Sequence, residues 1–280
     1  MTGYAHPDAL VETEWLAERL DDPAIRIVEA NFDLGSYAED HLPGAVGWSW
    51  KDDFQHPLRN DLPDRAGIEE LLGRSGIGHD TTVVLYGGQN NWYAGFGYWL
   101  LSIYGHQRLH LLNGGRKKWT AEGRPLTTAV PSVTPTRYRA AEPDWRYRAT
   151  RDDVLDSIGN PGRVLVDVRS REEWEGKLMP PWTVPNAEGQ RGGRIPGAVH
   201  IPWELQLRAD GTFKSAEDLR ALYEVQGVTP DKEAIGYCVI GGRSNFAWFV
   251  LSRLLGYPKV RLYDGSWLEW GTLRGVPIER

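Results

Sequence analysis

The sequence is poor in the features that mark secreted and membrane-bound chains. Only one of the 280 residues is a cysteine, Cys238, so no disulfide can form within the chain. A chain without disulfides is typical of a reducing cytosol. No apolar run approaches the roughly 18 residues that a membrane helix needs, and residues 1–15 lack the basic start and apolar stretch of a signal peptide. We therefore expect a cytoplasmic protein with no membrane partner.

The chain also has fewer positively charged than negatively charged residues. Lys and Arg number 32 against 38 Asp and Glu, which gives a net charge of −6. Such a chain has no general field that attracts nucleic acid or anionic lipid. The seven histidines form no Cys-His pattern, which gives a metal site little support. We expect neither a nucleic-acid partner nor a bound metal.

The composition is otherwise that of a globular protein with aromatic cores. Hydrophobic residues make up 41% and charged residues 25% of the chain, and there are 13 tryptophans. The length is that of two average domains.

The two halves of the chain repeat each other. Three pairs of segments recur at offsets of 151 to 153 residues. The pairs are Leu42–Val46 with Ile195–Val199, Thr82–Gly87 with Glu233–Cys238, and Asn113–Gly114 plus Trp119 with Asp264–Gly265 plus Trp270. Chance matches would not hold their spacing across three blocks, so the repeat predicts two tandem copies of one domain.

Short apolar strands alternate with helical stretches in each copy, which indicates α/β domains, each with a mainly parallel sheet flanked by helices. The predicted strands include 25–29, 82–86, 109–112, 164–167, 198–201, 234–237 and 260–262, and the predicted helices include 92–103, 215–226 and 245–255. Three prolines lie in a polar stretch between the copies. The predicted organisation is a first domain at 1–126, a linker at 127–145 and a second domain at 146–280.

The copies differ at two places. The second copy has 15 more residues between its first strand and its Pro-Gly-Ala turn, and this insert, 177–193, is rich in proline and glycine and is predicted to be a loop. The second copy also carries Cys238 where the first has Gly87. We expect the first domain to have no cysteine chemistry.

Cys238 stands where a buried strand ends and a helix is about to begin. Ligands of open α/β sheets bind at the carboxyl ends of strands. Gly241 and Gly242 allow a tight turn that presents backbone amides, and Arg243 adds a permanent positive charge. Such a setting favours a thiolate or a bound anion. A buried structural cysteine is the alternative, but the Gly-Gly-Arg turn favours a functional one.

These segments resemble those of the rhodanese family, the sulfurtransferases. The resemblance rests on four motifs: Cys238–Ser244 for the active-site loop, Asp167–Trp174 after the first strand, Arg194–Ala198 for a turn in which Arg194 replaces the usual His, and Tyr263–Trp267 with Trp270 for the closing motif. It covers nearly the whole chain and is strongest with bacterial two-domain thiosulfate sulfurtransferases.

The resemblance implies that the Cys238 thiolate takes a sulfur atom from a donor, becomes a persulfide and passes the sulfur to cyanide or a thiol, with thioredoxin as one candidate acceptor. No cofactor is implied. The substrate-binding residues would be those of the loop: Val239, Ile240, Gly241, Gly242, Arg243 and Ser244. Supporting residues would be Asp167, Arg169, Asp264 and Ser266, with Glu173 joining the Asp167 network; each of these also has a purely structural interpretation. Trp267 is a candidate pocket wall, whereas Trp119 in the copy without cysteine favours a core position for Trp270.

The residues that follow Cys238 leave the identity of the sulfur donor open. The family's thiosulfate enzymes often have a basic residue directly after the cysteine, and its mercaptopyruvate enzymes a small polar one, whereas this chain has Val239 followed by Ile240. Arg191 and Arg194 are candidates for a second positive charge, or else surface residues. Thiosulfate is the first expectation and 3-mercaptopyruvate the second.

Two other classes remain as alternatives. Cysteine phosphatases and arsenate reductases share a Cys-to-Arg loop, but with five intervening residues where this chain has four, so a tetrahedral oxyanion should fit less well. A non-enzymatic sulfur carrier would use the same loop without turnover.

Overall fold

The computed structural model describes residues 3–179 and 189–280, and the chain divides into two compact units. The first unit comprises residues 8–144 together with 209–213. The second comprises the described residues of 1–7, 145–208 and 214–280.

The first unit is built on a five-stranded parallel sheet in the order β1-β5-β4-β2-β3. Its strands are mostly apolar because both faces of the sheet are covered. The strands are β1 (Leu10–Val11), β2 (Ile25–Asn31), β3 (Val46–Ser49), β4 (Thr82–Tyr86) and β5 (Leu109–Leu112). The helices are α1 (Thr13–Ala17), α2 (Gly35–Glu39), α3 (Trp50–Asp53), α4 (Arg65–Arg74), α5 (Trp92–Ile103) and α6 (Gly115–Ala121).

The second unit repeats the central part of this sheet with the parallel order β7-β6-β8-β9. Its strands are β6 (Arg163–Asp167), β7 (Val199–His200), β8 (Glu233–Tyr237) and β9 (Val260–Leu262). Its described helices are α7 (Arg151–Leu155), α8 (Arg171–Trp174), α9 (Ala216–Glu224), α10 (Asn245–Phe249) and α11 (Ser266–Thr272). The prediction of two tandem α/β domains with parallel sheets is confirmed.

The two cores use matching residues. Tyr86 and Trp119 in the first unit take the places of Tyr237 and Trp270 in the second, and all four are fully buried. Even the indole hydrogen bonds repeat, because Trp119 donates to the Pro125 carbonyl at 2.9 Å and Trp270 donates to the Pro277 carbonyl at 3.0 Å. The core position predicted for Trp270 is therefore confirmed.

The predicted helix 245–255 changes character halfway. It begins at Asn245 as predicted, but Val250–Leu254 is π-helical after α10 ends. The Leu255 N–H bonds the Val250 carbonyl, five residues back, at 2.8 Å. This bond spans one residue more than the hydrogen bond of an α-helix, a local rearrangement that an apolar pattern does not reveal.

Two segments associate with the first unit although they lie outside its sheet. In the stretch predicted as a linker, Thr136 N–H bonds the Gly73 carbonyl at 2.9 Å and Tyr138 is buried. Residues 209–213, from the other half of the sequence, bond the turn after β5: Phe213 N–H donates to Asn113 Oδ1 at 3.1 Å, and Lys117 Nζ donates to the Ala209 carbonyl at 2.6 Å.

The insert predicted as a loop over 177–193 lies largely outside the described residues, including its three prolines. The backbone approaches itself closely at its base. A Cβ placed on Gly176 would lie 2.6 Å from the Gly193 nitrogen, and one on Gly192 would lie 2.6 Å from the Gly176 carbonyl oxygen. Larger side chains are thereby excluded at both positions. Among the described residues, no helix has the length and hydropathy to cross a membrane.

Candidate active site

Cys238 follows the last residue of β8, at the carboxyl end of the sheet, and is only 1% exposed. Its backbone is fixed to the start of α11. The Cys238 N–H donates to Ser266 Oγ at 3.1 Å, and the Cys238 carbonyl accepts from the Trp267 N–H at 3.0 Å. The Ser266 hydroxyl in turn donates to the Tyr263 carbonyl at 2.8 Å. The predicted strand-to-helix position of the cysteine is therefore observed.

Ser266 takes this position with a left-handed backbone, at φ +52°. Few residues other than glycine adopt this region without cost. In this conformation the hydroxyl accepts from the Cys238 N–H and donates to the Tyr263 carbonyl. Sequence motifs placed Ser266 near the loop, but its backbone conformation and its bond to the Cys238 amide carry no local sequence signal.

The loop after Cys238 turns at Gly241, which has φ +85°. The Ser244 hydroxyl donates to the Gly241 carbonyl at 3.1 Å, and the Asn245 side-chain amide donates to the Gly242 carbonyl. These bonds give both loop carbonyls a hydrogen-bond donor. Within the part of the chain that the structure describes, the backbone N–H groups of residues 239–242 donate no hydrogen bond. Several successive amides are thus available to an anion.

Arg243 forms an ion pair with Glu173. Each terminal nitrogen of its guanidinium donates to one oxygen of the Glu173 carboxylate, both at 2.8 Å. The two side chains are 15% and 7% exposed. Burial by itself lowers the pKa of Arg243, but the bonds to Glu173 and the nearby charge of Cys238 outweigh it, so that this pKa is raised. Burial by itself raises the pKa of Glu173, and the Arg243 pair reverses the shift, so that this pKa is lowered.

A capping box places Glu173 for this contact. The Ser170 hydroxyl accepts from the Glu173 N–H at 3.3 Å, and the Ser170 N–H donates to Glu173 Oε2 at 2.8 Å. Ser followed three residues later by Glu is the sequence signature of this motif. It could have located Glu173 at the first turn of α8, although not its partner 70 residues away.

Asp167 and Arg169 form a second, fully buried ion pair. Arg169 is 1% exposed, bonds the Asp167 carboxylate at 2.7 Å and donates to the Gly193 carbonyl at 2.8 Å. Its guanidinium lies 4.4 Å from the centre of the Trp267 ring. The pair therefore contacts two residues that hold Cys238 in place. Trp267, which packs against Arg169, donates its backbone N–H to the Cys238 carbonyl. Tyr237 directly precedes Cys238, and its hydroxyl bonds Asp167.

Three other residues that were candidates for the site bind partners outside the cysteine loop. Asp264 pairs with Arg148 through two hydrogen bonds of 2.8 and 2.9 Å. The Arg191 guanidinium donates to carbonyls at the end of α11, including that of Leu273 at 2.8 Å. Arg194 pairs with Glu279 and stacks 3.8 Å above the Trp174 ring. In residues 3–179 and 189–280, no cluster of three or more His, Cys, Asp or Glu side chains could hold a metal ion.

A tandem of parallel-sheet units, one of which ends its central strand in a cysteine loop, defines the class of this protein. The Rhodanese-like domain matches it twice, over residues 12–122 and 150–273. The chain belongs to the rhodanese family, and the predicted family resemblance is confirmed.

Relatives of known name match the chain over nearly its full length. The sulfur carrier protein TtuD of Thermus thermophilus is 50% identical over 99% of both chains. A protein of Saccharopolyspora erythraea, provisionally named thiosulfate sulfurtransferase, is 47% identical and is matched over 97% of this chain and 96% of its own. A protein of Mycolicibacterium smegmatis with the same provisional name is 47% identical, over 98% of this chain and 99% of its own.

Among solved structures, a variant of EanB in complex with ergothioneine has 25% identity and a TM-score of 0.84, over 97% of this chain and 70% of that one. The anaerobic ergothioneine biosynthesis enzyme of Chlorobium limicola has 24% identity and a TM-score of 0.84, over 99% of this chain and 71% of that one. At 24% identity, the likeness to the Chlorobium limicola enzyme shows a shared fold.

Proposed function

We propose that the protein is a sulfurtransferase that carries sulfur as a persulfide on Cys238. The observation that carries this proposal is a buried thiol at the start of a loop whose backbone N–H groups at 239–242 donate no hydrogen bond to any residue that the structure describes. A persulfide anion needs such donors once it is removed from water. The loop residues Val239, Ile240, Gly241, Gly242 and Ser244 would surround it.

The reaction has two steps that balance in atoms and electrons. The Cys238 thiolate attacks the outer sulfur of thiosulfate, a sulfur–sulfur bond forms, and the bond inside thiosulfate breaks with its electron pair leaving on sulfite. Cyanide or a thiolate then attacks the outer persulfide sulfur, and the electron pair of the breaking bond restores the Cys238 thiolate. This is covalent catalysis by double displacement.

The remaining site residues act on the loop in this proposal. Ser266 holds the Cys238 amide, and the pair of Asp167 and Arg169 braces the loop's supports. Arg243 stays beside the thiolate through its pair with Glu173. The first unit, with Gly87 at the cysteine position, does no sulfur chemistry.

Thiosulfate is the proposed donor because several relatives of 45 to 48% identity carry the provisional name thiosulfate sulfurtransferase. 3-Mercaptopyruvate remains the alternative donor. The test is thiocyanate production from cyanide with each donor in parallel, by the wild type and by Cys238→Ser. Turnover that is lost in the variant supports the proposal. Turnover that persists in the variant, or its absence with both donors, would overturn the proposed catalysis.

A sulfur carrier is the second candidate, favoured by the 50% identity to the sulfur carrier protein TtuD. A carrier would gain one sulfur atom on Cys238 from a donor and release it only to a partner protein. Intact-protein mass spectrometry after donor treatment separates the candidates, because a carrier stays loaded in cyanide whereas an enzyme is discharged within one turnover.

A further inference from the structure

The first turn of α11 connects Cys238 to residues 190–194, which we call the insert base. The backbone N–H of Trp267 donates to the Cys238 carbonyl at 3.0 Å, and its indole N–H donates to the Arg191 carbonyl at 3.0 Å. Only 1% of Trp267 is exposed, so its ring offers almost no surface to a substrate. Trp267 therefore links the backbone of the cysteine to the insert base.

Arg169 makes a second connection to the insert base. Its guanidinium lies 4.4 Å from the centre of the Trp267 ring and donates to the Gly193 carbonyl at 2.8 Å. The electrons of an indole ring attract a cation placed over its face, and more so where water is excluded. The Trp267 ring is thus held against the insert base by the Arg191 carbonyl on one side and by Arg169 on the other.

Arg191 holds the opposite end of α11. Its guanidinium donates to the carbonyls of Gly271 and Leu273 at 3.2 and 2.8 Å, and its backbone N–H donates to the Gly271 carbonyl at 3.1 Å. The last carbonyls of a helix have no partner within the helix, and a cation beside them also meets the negative end of the helix dipole. The insert base thus fixes the last turn of α11, while the first turn bonds the cysteine.

We propose that Trp267 and Arg191 are positioning residues for sulfur transfer, because together they fix α11 between the insert base and Cys238. This inference rests on the proposed persulfide chemistry of Cys238. A thiolate must lie in line with the sulfur–sulfur bond that it attacks, and a displacement of about 1 Å can cost about 10²-fold in rate. Both residues act on the position of the cysteine backbone and not on the donor.

The test compares Trp267→Phe with Trp270→Phe, since both tryptophans are fully buried in α11. The Trp267 indole donates to the Arg191 carbonyl at 3.0 Å. The Trp270 indole makes a bond of the same length to the Pro277 carbonyl, outside the insert base. Phenylalanine keeps the backbone N–H and removes the indole donor, so Trp270→Phe is the matched control. Steady-state assays with thiosulfate and cyanide give kcat and KM, and urea unfolding gives the free energy of unfolding.

Trp267→Phe should lower kcat by about tenfold and change the KM for thiosulfate by less than about twofold. The KM is expected to hold because the Gly241 and Gly242 carbonyls keep their bonds within the loop, which leaves the amides of 239–242 in place for the donor. Trp270→Phe should lose a similar free energy of unfolding and keep kcat within about twofold of the wild type. A merely structural role for Trp267 would lower stability and leave kcat as in the control.

A second pair of variants repeats the comparison within the insert base. Arg191→Met removes the side-chain donor to the last carbonyls of α11, whereas Arg194→Met removes a side chain that pairs with Glu279. We expect Arg191→Met to lower kcat by about threefold and Arg194→Met to leave it unchanged. Arg191→Lys should recover part of the loss, because an ammonium group also donates to carbonyls. A residue that binds the thiosulfate dianion would instead raise the KM when its charge is removed.

Equal losses of kcat in Trp267→Phe and Trp270→Phe, or a wild-type kcat in both, would overturn the positioning role of Trp267. A raised KM with an unchanged kcat in Arg191→Met would overturn that of Arg191. If intact-protein mass spectrometry finds no persulfide on the wild type after treatment with thiosulfate or 3-mercaptopyruvate, the proposed function itself fails. Circular dichroism identifies a variant that has lost its fold. Should Trp267→Phe fail to fold, the three variants of Arg191 and Arg194 decide the question, since both side chains are partly exposed.

Discussion

The two units use different side chains to link the backbone groups that follow their central strands. In the second unit, the Ser266 hydroxyl links the Cys238 N–H to the Tyr263 carbonyl. In the first unit, the Asn91 side chain links the equivalent groups: its Oδ1 accepts from the Gly87 N–H at 2.9 Å, and its Nδ2 donates to the Leu112 carbonyl at 2.8 Å.

These two arrangements exclude each other. The first unit has Gly115 where the second has Ser266, and the two residues share a left-handed backbone at φ +55° and +52°. A Cβ on Gly115 would lie 2.2 Å from Asn91 Oδ1. The first unit therefore differs from the second by more than the missing cysteine. The side-chain amide of Asn91 occupies the space next to the end of β4.

The largest expected effect concerns an attempt to move the chemistry into the first unit. Gly87→Cys in a Cys238→Ser background should give no thiocyanate. A Cβ on Gly87 would lie 2.3 Å from the Ala30 carbonyl oxygen, so the substitution should also lower the free energy of unfolding by about 1–3 kcal/mol. Thiocyanate assays and urea unfolding measure both effects.

Gly88→Ala is the control for this substitution in the same loop. Its Cβ would lie 3.4 Å from the nearest atom, Asn31 Oδ1, and its φ is −71°. It should therefore cost much less stability. Recovery of sulfur transfer by Gly87→Cys would mean that the cysteine alone separates the two units.

An intermediate effect is expected at the two linking side chains. Ser266→Ala should cost about 1–3 kcal/mol because two buried backbone groups lose their partner. It should also slow sulfur transfer, since the Cys238 amide is then no longer held. Ser266→Gly should be more stable than Ser266→Ala by about 1 kcal/mol, because glycine adopts the left-handed backbone without strain.

Asn91→Ala is the matched variant in the first unit. It should lower stability by a similar amount while leaving the kcat of thiocyanate formation unchanged. Chemical unfolding and steady-state kinetics on the three variants provide the comparison. Equal losses of kcat for Ser266→Ala and Asn91→Ala would contradict the separate roles assigned to the units.

The smallest expected effect is a pH dependence that belongs to the first unit alone. His106 bonds the Tyr138 hydroxyl and the Thr81 carbonyl, and burial lowers the pKa of its imidazole. The unfolded chain then binds the proton first as the pH falls. The stability contribution of neutral His106 is present above about pH 6.5 and decreases below it, by at most about 1.4 kcal/mol per pH unit.

His106→Gln should flatten this dependence of the free energy of unfolding between pH 7 and 5. The exposed residue His6 offers the control, and His6→Gln should leave the dependence as it is in the wild type. Urea unfolding at several pH values measures it, and identical slopes for the wild type and His106→Gln would exclude this histidine as the cause.

Much of the scaffold could be predicted because its signals are local. The bounds of β4, β5, β9 and α5 agree with the apolar runs, and the Ser215 side chain caps α9 by accepting from the Asp218 N–H at 3.2 Å, as its spacing predicted. The strand-to-helix position of Cys238 followed from the same alternation of strands and helices.

The partners of the site residues could not be predicted in this way. Arg243 meets Glu173 across 70 residues of sequence, and Asp264 meets Arg148 across 116. Such pairs depend on which strand ends lie side by side, and periodicity within one element carries no information about that. The left-handed backbone of Ser266 is likewise imposed by its surroundings, since serine does not favour it.

The segment 209–213 makes the tandem arrangement discontinuous. Because these five residues group with the first unit and bond its Asn113 and Lys117, no single cut divides the sequence into two self-contained pieces. A cut at the junction near residue 145 would separate residues 209–213 from the unit with which they group. A first unit taken as residues 8–144 alone would therefore lack the backbone groups that bond its Asn113 and Lys117 side chains.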